Sequence, residues 1–233
     1  MRSRLFCIML TFLSLSFTLT GNTQGTVNLR NSERELRDLF KEISQALTDS
    51  QKIASSIEFS ERLRSALQIE GSAEYPWDSL RYMAKITSPD GLFRLYNWNV
   101  PLTGGGNRYF CLIQFRKAWK KIPPCDLRDF SDSVTEPEKF TGDSLHWYGA
   151  LYYDIIPYAL RDNSTSYILL GWDGISKDMS SKVIDVLTFK SSGCPGFGSM
   201  VFPDFRDGRL FRIIFRYSSS ASMSLRYRLQ TIP

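Results

Sequence analysis

Asp154 and Asp173 are the residues whose type and setting come nearest to a chemical signature. Asp154 follows Tyr152-Tyr153 at the end of one run of β-forming residues, and Asp173 follows Trp172 at the end of another. Glycoside hydrolysis requires two carboxyl groups facing each other across a sugar, one as acid and one as base or nucleophile, with aromatic rings to stack the sugar. Trp98, Trp147 and Trp172 are candidate platforms. Against this, Asp173-Gly174 is an ordinary turn dipeptide. His146 is the sole histidine, so any Ser-His-Asp or Cys-His scheme has to use it. It stands between Leu145 and Trp147 in a stretch that reads as a strand, where a packed or hydrogen-bonded histidine is expected instead. No G-x-S-x-G elbow occurs.

The same residues support a binding site more economically. Tyr96, Trp98, Trp147, Tyr152 and Trp172 on an accessible sheet face would hold a glycan or peptide without catalysis. The bland alternative puts those rings in the core between sheet and helices. An enzyme needs Asp154 and Asp173 within several ångströms in an open cleft; a binder needs exposed, coplanar aromatics.

Metal and redox chemistry have little to work with. There is no C-x-x-C spacing, and one histidine among scattered carboxylates does not make a metal site, so neither metal nor cofactor is expected. Of the four cysteines, Cys7 lies in an N-terminal apolar run, leaving Cys111, Cys125 and Cys194. Cys111 and Cys125 would close a short loop and form the expected disulfide, with one thiol left over.

The elements that must position these residues follow from pattern. The chain has 233 residues, enough for one good-sized core or two small ones, and its 14% aromatics fit a β-rich protein. Arg2 and Arg4 precede an apolar run over residues 5–19, followed by Gly21-Asn22-Thr23, which reads as an export signal over residues 1–23. Cleavage is expected after Thr23, with Gly21 as the other choice, and no later stretch is long and apolar enough to span a membrane. Removing residues 1–23 takes two arginines from the 29 basic residues against 24 acids, a small excess without runs, so nucleic acid is not implied. Lys117, Lys120 and Lys121 flank Trp119, a pattern more typical of a solvated edge strand than of a polyanion site.

Ser32 and Glu35 have capping-box spacing, and Leu36, Leu39, Phe40, Ile43, Leu47, Ile53, Ala54 and Ile57 follow at helical intervals. The phase slips near residue 55, which predicts helices over 32–55 and 58–69, stopped by Gly71. From Ile86 the period changes to that of strands, with turns at Ser88-Pro89-Asp90-Gly91, Gly104-Gly105-Gly106-Asn107, Asp162-Asn163-Ser164, Asp173-Gly174 and Asp207-Gly208. Three consecutive antiparallel strands are predicted near 145–156, 165–172 and 182–190, with shorter ones near 199–202, 210–217 and 222–229. Arg209, Arg212 and Arg216 interleave with Phe211, Ile213 and Phe215, which predicts one wet face. Asn163-Ser164-Thr165 matches a glycosylation acceptor, relevant only in a eukaryotic host.

The phrases TSPDGLFRLYNWNVPLTGGGNRYF (87–110), ALYYDIIPY (150–158) and YILLGWDGISKDMSSKVIDVLTF (167–189) resemble those of an uncharacterised family of exported bacterial proteins, over about the middle half of the chain. The resemblance implies an envelope location, periplasmic or outer-envelope associated, in a Gram-negative host. It carries no activity. It also implies that this chain lacks a C-terminal segment of its relatives. Together these readings predict a single α+β domain over 24–233, with N-terminal helices packed on an extended antiparallel sheet. They predict an exported, non-enzymatic binding or structural protein whose partner is a glycan or another envelope protein. A glycan hydrolase using the carboxylate pair is the alternative.

Overall fold

A computed structural model describes residues 18–116, 122–160, 164–202 and 210–229, with side chains from residue 24. The architecture is α+β, with the N-terminal helices packed on antiparallel sheet. The strands divide between two sheets. The expected export signal up to residue 17, the Lys117–Trp119–Lys120–Lys121 patch, Asn163 and the Asp207-Gly208 turn lie outside the described residues.

Helix α1 is Thr18–Gln45 and helix α2 is Asp49–Ala66. The break therefore falls at residues 46–48 and not near residue 55. Thr48 is the reason: its hydroxyl accepts from the Gln51 amide while the Gln51 side chain accepts from the Thr48 amide, a complete capping box. Ser32, whose spacing from Glu35 suggested a helix start, lies inside α1. Leu29, Leu36 and Ile43, each two turns apart, bury one continuous stripe through it. Burial of that stripe outweighs a local capping option.

The first sheet orders β1 (Ala84–Thr87), β2 (Phe93–Pro101), β3 (Asn107–Phe115) and β4 (Cys125–Arg128) as successive antiparallel neighbours. Period-two alternation gives it two buried faces. Tyr96, Trp98, Val100 and Leu112 pack with Phe59 and Leu63 of α2 and with Leu29 and Leu36 of α1. Phe93, Leu95, Tyr109, Cys111 and Ile113 face the second sheet. That sheet comprises β5 (Gly142–Asp143), β6 (Leu151–Ala159), β7 (Thr165–Asp173), β8 (Met179–Phe189), β9 (Pro195–Phe197) and β10 (Ile213–Ser218). The order is β5-β9-β8-β7-β6, with β10 also on β8. Helices, first sheet and second sheet thus make three layers around two cores, and each fully buried aromatic contributes roughly 1.5–3 kcal/mol by leaving water.

The central three-strand meander, β6–β7–β8, is present with shifted ends. The stretches 199–202 and 222–229 are not strands. The latter runs unpaired over the second sheet, tied down where the Tyr153 hydroxyl donates to the Leu225 carbonyl at 3.0 Å.

Candidate functional site

Most of the chemically capable side chains point inward. Tyr96 and Trp98, on the helix-facing side of β2, are buried. The Tyr96 hydroxyl donates to Gln114 Oε1 at 2.8 Å, and Trp98 stacks on Phe110 with ring centroids 5.2 Å apart. Neither belongs to an accessible platform, because the β2 alternation that buries Leu95 against one layer buries these rings against the other.

Between the two sheets lie Trp147, Tyr152 and Asp173, also buried. Asp173 ends β7 and receives hydrogen bonds from the hydroxyls of Tyr109 (2.9 Å) and Tyr148 (3.0 Å), one on each oxygen. The Tyr109 oxygen in turn accepts from the Gly174 amide at 2.8 Å. Burial pushes the Asp173 carboxyl above its ordinary range, with the two hydroxyls acting against the shift. Burial and then the adjacent Asp173 charge push both phenols upward. Beside this group, Trp147 Nε1 donates to the Tyr152 oxygen at 3.0 Å, and the Tyr152 hydroxyl donates to Asp185 Oδ2 at 2.9 Å. Arg212 completes the network: its Nη2 lies 3.0 Å from Asp185 Oδ1, and its Nη1 donates to the carbonyls of Pro137 (2.7 Å) and Phe140 (3.0 Å). Arg212 is wholly buried, so the wet face expected for the 209–216 arginines does not include it. These polar groups are spent on one another, which braces the sheets and leaves Asp173 no free oxygen.

His146 sits outside any strand, about half exposed, with Nδ1 3.0 Å from Asp143 Oδ1 and its ring edge-on to Phe130. It is not in the strand expected for it, and its hydrogen bond to Asp143 and contact with Phe130 give it the structural setting expected of a hydrogen-bonded histidine. Cys111 and Cys125 are free thiols, so the expected disulfide between them is not formed. Cys111 stands opposite Leu127 and Cys125 opposite Ile113, which makes the two cysteines diagonal neighbours. Diagonal positions are roughly 7–8 Å apart, too far for unstrained disulfide geometry.

Asp154 and Trp172 are on the other, outward face of the second sheet. Asp154 stands opposite Leu170, three positions before Asp173 on β7, so the two carboxylates share neither a partner nor a cleft. What brings Asp154 outward is a β-bulge. Tyr152 pairs with Gly171 and Asp154 with Leu170, leaving Tyr153 as the extra residue. Tyr152 and Ile155 stay in the inter-sheet core while Tyr153 and Asp154 both turn to the outer surface. There they meet Lys182 of β8, which stands opposite both Trp172 and Phe215. Lys182 Nζ lies 4.8 Å from the Tyr153 ring centroid. The 222–226 segment walls the other side, and together they enclose a groove of about 410 Å³.

The groove presents a carboxylate (Asp154), an ammonium (Lys182), a guanidinium (Arg226), two serine hydroxyls (Ser222, Ser224) and an aromatic ring (Tyr153). Partial burial lowers the Lys182 ammonium and raises the Tyr153 phenol, the latter helped by the Asp154 charge. A larger cleft of about 620 Å³ beside residues 67–73, 114–116 and 122–124 offers less. There Gln114 donates to Leu67 O and Ser72 Oγ, and Arg116 Nε donates to Ala73 O. Among the described residues no cluster of three or more His, Cys, Asp or Glu side chains could hold a metal, and no helix is long and apolar enough to cross a membrane. Sequence reasoning missed Tyr153, Lys182 and Arg212 as partners of its candidates. The bulge left no local trace, because Tyr152 inside and Tyr153 outside is what strict alternation predicts, and the departure begins only at Asp154. Comparison with protein-family models, with curated proteins and with solved structures finds no match to this chain.

Proposed function

We propose that this is an exported envelope protein that binds a glycan, or a glycan-bearing partner, without turning it over, through the groove on the outer face of the second sheet. The observation that carries the reading is the bulge that sets Tyr153 beside Asp154 and over Lys182 in an open groove. A ring face with adjacent acceptor, cation and hydroxyls is the combination that recognises a sugar's apolar faces and its hydroxyls together. The N-terminal basic and apolar pattern supports export, and the resemblance over residues 87–110, 150–158 and 167–189 supports an envelope location. The hydrolase alternative is weaker because, among the described residues, Asp154 is the one carboxylate in the groove lining, whereas Asp173 is engaged by two tyrosines.

The test is a glycan array probed with the wild-type protein and with Tyr153→Ala and Lys182→Ser variants, alongside a hydrolysis screen of every glycan bound. Retention of specific glycans by the wild type, reduced at least tenfold in both variants, with no turnover, supports the reading. Turnover abolished by Asp154→Asn would replace it with the hydrolase, and binding untouched by both variants would move the site elsewhere.

A further inference from the structure

Cys194 lies in the turn between β8 and β9, closed by the Lys190 amide to the Cys194 carbonyl at 2.9 Å. Two contacts bring this turn to β4, one just before its start at Cys125 and one, by way of Ser144, at its end at Arg128. The Cα of Gly193 is so close to the chain before β4 that an added Cβ would meet Ile122 Cδ1 at 2.9 Å. From the other side, β9 pairs with β5 so that Gly196 stands opposite Asp143. Ser144 directly follows Asp143, and Pro195, the neighbour of Cys194, directly precedes Gly196. Ser144 also joins β4: its carbonyl accepts at 2.7 Å from the amide of Arg128, the last residue of that strand. The turn that carries Cys194 and the strand that carries Cys125 therefore adjoin across the seam between the two sheets. Burial, and after it the charges of Asp126 and Cys194, push the Cys125 thiol upward, against the pull of Ser144.

We propose that Cys125 and Cys194 are a dithiol–disulfide pair, a covalent modification site that bolts edge strand β4 of the first sheet to the turn entering β9 of the second. Cys194 is exposed, Cys125 half-buried and Cys111 buried. The order of reaction follows from access, with a small-molecule disulfide as oxidant. The Cys194 thiolate attacks one sulfur of oxidised glutathione, whose S–S bond breaks; one glutathione leaves and takes up a proton. The Cys125 thiolate then attacks the Cys194 sulfur, the protein S–S bond forms, and the second glutathione leaves with another proton. The two cysteines lose two electrons, and one glutathione disulfide becomes two thiols. Cys111 stays reduced because burial holds its thiol far above the ordinary range. The odd cysteine left after removal of residues 1–23 is then the buried one.

The experiment is to incubate the reduced full chain with oxidised glutathione and to follow intact mass, disulfide-mapped peptides and melting temperature. The expected product lacks the mass of two hydrogens, maps to Cys125–Cys194, and forms equally in a Cys111→Ala variant. A Cys125→Ser variant should instead stop at a stable glutathione adduct on Cys194. The oxidised wild type should melt roughly 5–10 °C above the reduced form, because the bond closes a loop of about 70 residues. A glutathione adduct that persists on wild-type Cys194, a Cys111–Cys125 link, or no loss of thiols would each overturn the proposal.

Discussion

Arg212 and Asp185 form an ion pair with both side chains wholly inside the protein, Nη2 lying 3.0 Å from Oδ1. The pair connects the segment entering β10 to the middle of β8. Its neighbours offset part of the desolvation: two backbone carbonyls accept from Nη1 and Tyr152 donates to Asp185, while Arg212 Nε is buried without a hydrogen-bond partner among the described residues. Removing one partner strands the other charge. Arg212→Met should cost about 3–5 kcal/mol in urea unfolding. The double variant Arg212→Met, Asp185→Leu should recover part of that loss, since no lone charge remains. The Arg212 guanidinium also lies 5.2 Å from the Tyr148 ring centroid, so equal losses in single and double variants would show that this ring contact, and not the pairing with Asp185, is what Arg212 contributes.

The two tyrosines on Asp173 are not equivalent. Tyr148→Phe removes one donor to a buried carboxyl and should cost about 1–3 kcal/mol. Tyr109→Phe removes the same kind of donor and also the acceptor of the Gly174 amide, so its cost should be about twice as large. Paired denaturant titrations of the two variants check the order.

Asp173 and Glu33 make opposite contributions to pH dependence. Asp173 is raised in the folded state, so its contribution is complete below its unfolded value of 3.8 and is lost as pH rises through the folded one. The stability of Asp173→Asn relative to wild type should therefore improve between pH 4 and neutrality.

Glu33 is the reverse case. Burial raises its carboxyl, but the hydroxyl of Tyr75 and the amide of Ser79, each 2.7 Å away, outweigh it and the net shift is downward. Its contribution is complete above 4.5 and is lost as pH falls through the folded value. Glu33→Gln should lose stability at neutral pH, and that deficit should shrink as wild type is acidified. Because Glu33 ties α1 to the 75–79 loop, hydrogen exchange in α1 should report the same change locally.

Thr48→Ala removes the hydroxyl that caps α2 and should cost about 1 kcal/mol, while Ser32→Ala, inside α1, should change stability by a few tenths. Thermal unfolding of the two variants distinguishes the real helix start from its look-alike.

Periodicity alone determined the existence and type of most elements: two helices ahead of β-strands, hairpins at Gly104-Gly105-Gly106 and at Ser88-Pro89-Asp90-Gly91, and the β6–β7–β8 meander. Those signals are local, because turn residues and alternating side chains act over a few positions. The helix break was legible in principle, since Thr48 and Gln51 have the same spacing as Ser32 and Glu35. Choosing between them required knowing that Leu29, Leu36 and Ile43 bury one stripe.

The site was decided by tertiary structure. Nothing local says that the alternating strand carrying Tyr96 and Trp98 is covered on both faces, so that rings suited to a ligand become core. Arg212 looked like a wet-face residue because alternation with apolar neighbours is also the pattern of a half-exposed strand; only the approach of Asp185, from a distant strand, makes burial of its charge possible. The bulge at Tyr153 is a register event between two strands, and one inserted residue reverses which side chains face out. For that reason Asp154 and Asp173, alike in sequence context, end on opposite faces of one sheet.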